Sequence, residues 1–356
     1  MREFWRGKRV FLTGHTGFKG GWLALWLQEL GASVLGFSLK PPSKPSLFET
    51  ARVSENMQEI IGDIRDLSRV TAAFVEFAPE IVFHLAAQSL VRVSYDDPVG
   101  TFSSNVLGTV NVLEAVRQTK VARSVVVVTS DKCYENREWL WGYREGDSLG
   151  GHDPYSSSKA CAELAVDSYR RAFFCEKDTA GIATARAGNV IGGGDWARDR
   201  LIPDLVRSAV SGEILVLRSP KAMRPWQHVL DPLRGYLMLA ENLWDNRIRY
   251  GGPWNFGPLH SDDRTVEDIV AIAAGVWGGG LNWTVHSEGQ PRESSMLRLD
   301  SSKAASAGWR PRLSLERSIE WTMEWYRGWI QHQDLKTLSM EQIRRYGRLA
   351  AGEPGA

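Results

Sequence analysis

Residues 129–136 read T-S-D-K-C-Y-E-N, directly after the apolar run S-V-V-V-V. That run predicts a buried strand, and it ends in a hydroxyl, a carboxylate and an amine, those of Ser130, Asp131 and Lys132. Tyr155 and Lys159 follow in Y-S-S-S-K, a spacing that puts both side chains on one face of a helix. A phenol titrates near ~10 in water, too high for a base at neutral pH. A neighbouring ammonium, together with the positive ring of an oxidised nicotinamide, favours the phenolate and lowers that value. Tyr155 could then take a hydroxyl proton while a hydride leaves the same carbon, with Ser130 orienting the oxygen. The plain alternative for a Tyr-x-x-x-Lys pair is an exposed stretch of helix, so the pair needs independent support.

That support is the segment T-G-H-T-G-F-K-G-G at 13–21. Gly14, Gly17 and Gly20 keep a three-residue spacing between a strand and a helix. There glycine permits a tight turn and lets backbone approach a pyrophosphate seated on the helix N-terminus. Gly14, Thr16, Gly17, Phe18 and Gly20 are therefore the expected cofactor-binding positions. Leu85, Ala86 and Ala87 in H-L-A-A-Q form a small-residue turn after the fourth strand, where backbone passes close to the cofactor. Dinucleotide sites usually close the second strand with an acid for the ribose hydroxyls. Here that strand ends G-F-S-L-K, so Ser38 and Lys40 stand in its place, and a cation there could favour a 2′-phosphate. Asp63 and Ile64, in I-G-D-I-R-D, could instead hold the adenine; the alternative for Asp63 is a charge at a helix N-terminus or a cap nearby. NAD is the expected cofactor.

Strand-like runs alternate with helix-like ones: Lys8–Thr13, Phe18–Leu30, Ser33–Phe37, Glu59–Ile61, Ser68–Phe77, Ile81–His84, Val99–Thr119, Ser124–Thr129, Tyr155–Phe174 and Ile182–Arg186. The strands are continuous apolar runs, which marks a sheet buried on both faces. This predicts an α/β fold, a doubly wound parallel sheet of Rossmann type over residues 1–187. Residues 188–345 read as a smaller mixed substrate-binding region, with some segments returning to the main sheet, and 346–356 as a frayed tail. Helices are expected there at Leu201–Ser211, Pro232–Leu243, Val266–Ala274 and Leu315–Tyr326.

The 356 residues suffice for a sizeable core. A net charge of +1 provides no field for nucleic acid or an anionic membrane. Cys133, Cys161 and Cys175 form no metal-ligand pattern, so no metal is expected. No stretch is apolar enough to span a membrane, and Met1–Arg9 runs directly into the first strand, which together suggest the cytoplasm.

The glycine loop, H-L-A-A-Q, the Ser/Tyr/Lys set, R-A-G-N-V-I-G-G-G-D-W at 186–196 and R-P-W-Q-H-V-L-D at 224–231 resemble the extended short-chain dehydrogenase/reductases that act on nucleotide sugars. The resemblance spans nearly the whole chain. It implies that Gln88 and Asn189 contact the sugar nucleotide and that Arg224 pairs with its pyrophosphate, with Arg292 as a second candidate; a guanidinium fork suits phosphate oxygens. Epimerases of that family carry small apolar residues after the Ser/Thr of strand five, whereas 4,6-dehydratases carry an acid pair or a lone Glu. T-S-D-K-C-Y-E-N with G-H-T-G-F-K-G resembles the branch that dehydrates CDP-D-glucose for deoxysugars, typically of bacterial surface polysaccharide. In that branch Asp131 would protonate the departing C6 hydroxyl. Lys132 would act at C5, as a neutral base or as a cation stabilising the enolate. A 4-epimerase and a non-catalytic NAD-sensing protein are the rival readings. The resemblance also implies a homodimer, or a dimer of dimers, paired through Val99–Thr119 and Tyr155–Phe174. Phe102, Val106, Val110 and Leu113 form a stripe suited to that interface or to the sheet.

Overall fold

In the computed structural model, residues 2–258, 264–279, 281–286 and 296–349 are described. Seven parallel strands make one sheet: β1 (Arg9–Thr13), β2 (Ser33–Ser38), β3 (Gln58–Ile61), β4 (Ile81–His84), β5 (Ser124–Val128), β6 (Gly181–Ala187) and β7 (Gly252–Phe256). Their order is β7-β6-β5-β4-β1-β2-β3. The order reverses between β1 and β4, the crevice where such sheets bind ligands beyond their strand ends. Register pairs Thr13 with His84 and His84 with Val127, so the loops leaving β1, β4 and β5 emerge side by side. The expected doubly wound parallel sheet is present.

Both sheet faces are covered, as the continuous apolar strands require. On one face Phe11, Phe37, Phe74, Leu113, Val116 and Val166 form a buried cluster. On the other, Trp22 and Trp26 of helix Phe18–Leu30 pack into a larger core shared with helices Leu230–Asp245, Leu315–Ile330 and Leu335–Arg348. Helix Phe18–Leu30 stops at Gly31, whose φ of +83° lets its N–H and that of Ala32 close on Gln28 and Leu27 carbonyls.

Local signals set other boundaries too. Asp153 caps helix Pro154–Phe173, accepting from the Ser156 N–H at 2.9 Å, with Pro154 in the first turn. The stretch expected as one helix over Val99–Thr119 is Pro98–Phe102, a π turn at Ser103–Leu107, and Gly108–Thr119. Among the described residues beyond 188 there are three two-stranded ladders and further helices, while β7 and helix Leu230–Asp245 pack with the main sheet. The last described helix, Leu335–Arg348, runs past the 346 boundary expected for the tail. Its Tyr346 is fully buried, edge-on to Trp26, so this turn is anchored where fraying was expected.

Candidate active site

The glycine loop is a cradle with no room for side chains at two points. Gly14 has φ +78°, and a Cβ there would lie 2.7 Å from the Ala86 nitrogen; a Cβ at Gly20 would strike the Gly14 carbonyl. Thr13 Oγ1 accepts from the Leu85 and Ala86 N–H groups at 3.0 and 3.1 Å, which clamps H-L-A-A-Q against the loop. Phe18 opens the helix, and Gly17 caps it without a side-chain bond, so the helix N–H groups face the crevice. These observations fit a dinucleotide pyrophosphate.

Thr16 Oγ1 hydrogen-bonds Ser38 Oγ at 2.8 Å, so the hydroxyl at the end of β2 braces the loop, while Lys40 is exposed. The Asp63 carboxylate takes the Arg65 guanidinium and the Arg65 N–H, which hold its pKa below the usual range. The helix cap is Asp66, which accepts from the Arg69 N–H at 3.1 Å, so Asp63 is not the cap. Ile64 is buried against Gly108.

At the end of β5, Ser130 caps the short turn Asp131–Cys133, accepting from the Lys132 N–H at 3.3 Å and donating to Asp131 Oδ1 at 3.0 Å. Asp131 is buried and its Oδ2 has no hydrogen-bond partner among the described residues. Burial raises its pKa, opposed by the charges of Lys132, Lys19 and Arg224 and by the Ser130 bond. A carboxyl that holds its proton more readily suits a general acid. The Ser130 hydroxyl lies close enough to Tyr155 to oppose the rise of its pKa, and Lys132 Nζ lies 6.0 Å from the Tyr155 ring centroid. The five expected catalytic residues thus gather at one strand end.

Burial pushes Tyr155 up to about 12, with the Ser130 hydroxyl opposing; the lowering expected of this phenol needs the ammonium together with the positive ring of an oxidised nicotinamide. Burial also pushes Lys159 down to about 8, against the charge of Glu163. Desolvation disfavours the charged form of each group, and sequence spacing does not report it.

Arg224 is buried in the short strand Met223–Arg224 and its charge reaches the Asp131 carboxyl. Asn189 is half-buried, its carbonyl accepting from the Gln227 N–H at 3.0 Å. The Gln88 amide is turned inward, donating to Thr101 Oγ1 at 2.9 Å and accepting from the Leu90 N–H at 2.6 Å. Arg292 lies outside the described residues.

Sequence reasoning missed several neighbours. Lys19, inside G-F-K-G, is pushed down to about 8 by burial first and then by Arg200, with Asp131 opposing. A cation set between two loop glycines was the available signal. Arg200 pairs with Asp195 at 2.8 Å and its charge reaches Tyr155. His84 is neutral: burial pushes it down to about 3, and it bridges Thr13 Oγ1 and Thr109 Oγ1 at 2.7 and 3.1 Å.

Residues 10–251 match the NAD dependent epimerase/dehydratase family. Over 350 residues the chain is 49% identical to the CDP-glucose 4,6-dehydratase of Salmonella typhimurium, covering 97% of this chain and 98% of that protein. The UDP-glucose 4-epimerase of Thermus thermophilus, solved in complex with NAD, is similar with a TM-score of 0.78 at 25% identity, over 90% of this chain and 99% of that one. The dTDP-glucose 4,6-dehydratase of Bacillus anthracis, solved in complex with NAD, shares the fold with a TM-score of 0.76 at 20% identity, over 93% and 100%.

Proposed function

Because the chain belongs to the NAD-dependent epimerase/dehydratase family, we propose that it is a lyase converting CDP-D-glucose to CDP-4-keto-6-deoxy-D-glucose and water. The observation that carries this reading is Asp131 and Lys132 set against the Ser130–Tyr155 pair, an elimination couple beside an oxidation couple. The likeness to the Salmonella enzyme supports the same substrate.

The glycine loop, the H-L-A-A turn and the N-terminus of helix Phe18–Leu30 hold NAD. Bound there, NAD would supply a hydride acceptor for C4, the same hydride for C6, and a positive charge near the phenol. Ser130 orients the C4 oxygen and Tyr155 takes its proton, with Lys159 and the ring charge bringing the buried phenol down into range. The new ketone acidifies the C5 proton. Lys132 removes that proton, or steadies the enolate as a cation, while Asp131 delivers a proton to the departing C6 hydroxyl; when the hydride comes back to C6, a proton goes back to C5. Without that acid, hydroxide would be a poor leaving group. Arg224 holds the substrate pyrophosphate by its guanidinium fork, with Asn189 and Gln88 lining the sugar path and Arg292 as a further phosphate partner.

Two copies pair through helices Pro98–Phe102 and Pro154–Phe173 and the π turn between Ser103 and Leu107. Val99, Leu107 and Leu164 are 79%, 57% and 59% exposed there, and Phe102 also faces outward. Leu113 is buried in the sheet core, so the expected stripe divides between the two surfaces. No helix among the described residues is long and apolar enough to cross a membrane. The enzyme works in the cytoplasm, supplying deoxysugars for bacterial surface polysaccharide, the O-antigen of lipopolysaccharide included.

The deciding experiment offers CDP-, UDP-, dTDP- and GDP-glucose with NAD. A 4-keto-6-deoxy product from CDP-glucose is expected. A galactose epimer without water loss would replace this reading by the epimerase one, and NAD binding without turnover by that of an NAD sensor.

A further inference from the structure

One helical turn beyond Lys159, Glu163 is sealed in an ion pair with Arg186, Oε2 to Nη2 2.7 Å, both side chains 3% exposed. The same carboxylate accepts from Thr184 Oγ1 at 2.8 Å and from Thr129 Oγ1. Arg186 donates onward to the Tyr134 hydroxyl at 2.8 Å and the Glu145 carbonyl at 3.1 Å, and Tyr134 donates to Asn255 Oδ1 at 2.8 Å. One carboxylate therefore ties the end of β5 to β6 and to the helix of Tyr155 and Lys159. Through Arg186 it also reaches β7 and the residue after the Asp131–Cys133 turn.

Burying an ion pair is costly, and apolar side chains of similar volume often hold layers together at least as well. Packing alone thus gives no reason for charge at this place, but the position relative to Lys159 does. The two residues are four apart on one helix, so they share a face. Lys159 is 6% exposed, its ammonium is disfavoured by burial, and the Glu163 charge is the largest influence opposing that. The other titratable groups acting on the amine come from separate elements: Cys133 on the turn, His84 at the end of β4, and Lys19 on the glycine-loop helix. Burial keeps Cys133 and His84 neutral, and Lys19 is a cation that disfavours a second ammonium.

We propose that Glu163 is a positioning residue for hydride transfer: locked by Arg186, Thr129 and Thr184, its carboxylate holds Lys159 as an ammonium and fixes the Thr129–Ser130 step at the end of β5. It acts through Lys159 and Ser130 and does not touch the substrate. The proposal rests on the reading of Tyr155 and Lys159 as the hydride-transfer pair.

The test is an NMR titration of the side-chain amines in the full chain labelled with 13C-lysine, beside the pH profile of single-turnover C4 oxidation. Glu163→Gln leaves Arg186 buried and uncompensated, so the double variant Glu163→Gln/Arg186→Met is included to keep a neutral, folded pair. In both, the Lys159 midpoint is expected to fall by about one pH unit or more, and the alkaline limb of oxidation to move down with it. Thr184→Val removes one hydroxyl from the same carboxylate but leaves its charge; it is expected to lower the melting temperature with the midpoint unmoved. An unchanged midpoint in the folded double variant overturns the proposal, as does an equal shift in Thr184→Val. A moved midpoint with an unmoved rate limb keeps the Glu163–Lys159 coupling and counts against Lys159 as a hydride-transfer partner.

Discussion

Ser130 donates to one oxygen of Asp131 at 3.0 Å, and the other oxygen of that buried carboxyl has no hydrogen-bond partner among the described residues. In the proposed reaction the hydroxyl that orients the substrate oxygen would therefore also fix the acid. In that proposal the unpartnered Oδ2 is the atom that would pass a proton to the leaving group. Burial raises the pKa of this carboxyl, so the acid form persists to higher pH than for an exposed aspartate.

Asp131→Asn keeps the shape and removes the transferable proton. C5–H exchange with solvent deuterium should continue while water loss slows by ~10²–10⁴-fold. Mass spectrometry of recovered substrate and of product checks both. Loss of exchange together with elimination would assign the base role to Asp131 as well.

Lys132→Met keeps much of the stem without the amine, and leaves Ser130, Tyr155 and Lys159 in place. C4 oxidation should proceed, bound reduced cofactor should accumulate, and C5–H exchange should stop. The loss of turnover should again be ~10²–10⁴-fold. Near wild-type turnover would make this lysine a simple surface cation.

Glucose carrying deuterium at C4 should give product with that deuterium at C6 of the same molecule, because one cofactor serves both hydride steps. A mixture of labelled and unlabelled substrates should not scramble. Crossover between molecules, or a requirement for stoichiometric NAD, would rule out the closed cycle.

Asp231 concerns stability and lies away from the chemistry. It is fully buried, accepting from the Tyr346 hydroxyl at 2.6 Å and the Arg312 N–H at 2.7 Å. Burial still raises it, to about 6. The folded state thus binds this proton more tightly than the unfolded chain, where an aspartate titrates near ~3.9, so stability falls as pH rises between these values. The difference amounts to about 3 kcal/mol by neutral pH. Asp231→Asn should flatten that part of the stability–pH curve in denaturant titrations. Parallel curves for the two proteins would refute it.

Much of this architecture was legible because its determinants are local. The bounds of helix Phe18–Leu30 and of β4 were readable to the residue, since Gly31 must take a left-handed conformation and the strand is a continuous apolar run. The π turn at Ser103–Leu107 was not legible, because apolar spacing does not report a slip of the backbone hydrogen bonds. Helix Leu335–Arg348 was missed for another reason. It is held by Asp231 and Trp26, partners 115 and 320 residues from Tyr346 along the chain.

By itself the sequence determined the turn that must be glycine, the alternation that makes a parallel sheet, and the reactive side chains at the end of β5. Each depends on backbone sterics or on periodicity within a few residues. Only the tertiary structure decided the charge states of those side chains, and which groups surround them. Lys19, Arg200, Arg224 and the Glu163–Arg186 pair converge on Asp131, Tyr155 and Lys159 from elements scattered along the chain. Desolvation and Coulomb energy depend on distances through space, and those exist only once the sheet has brought its strand ends together.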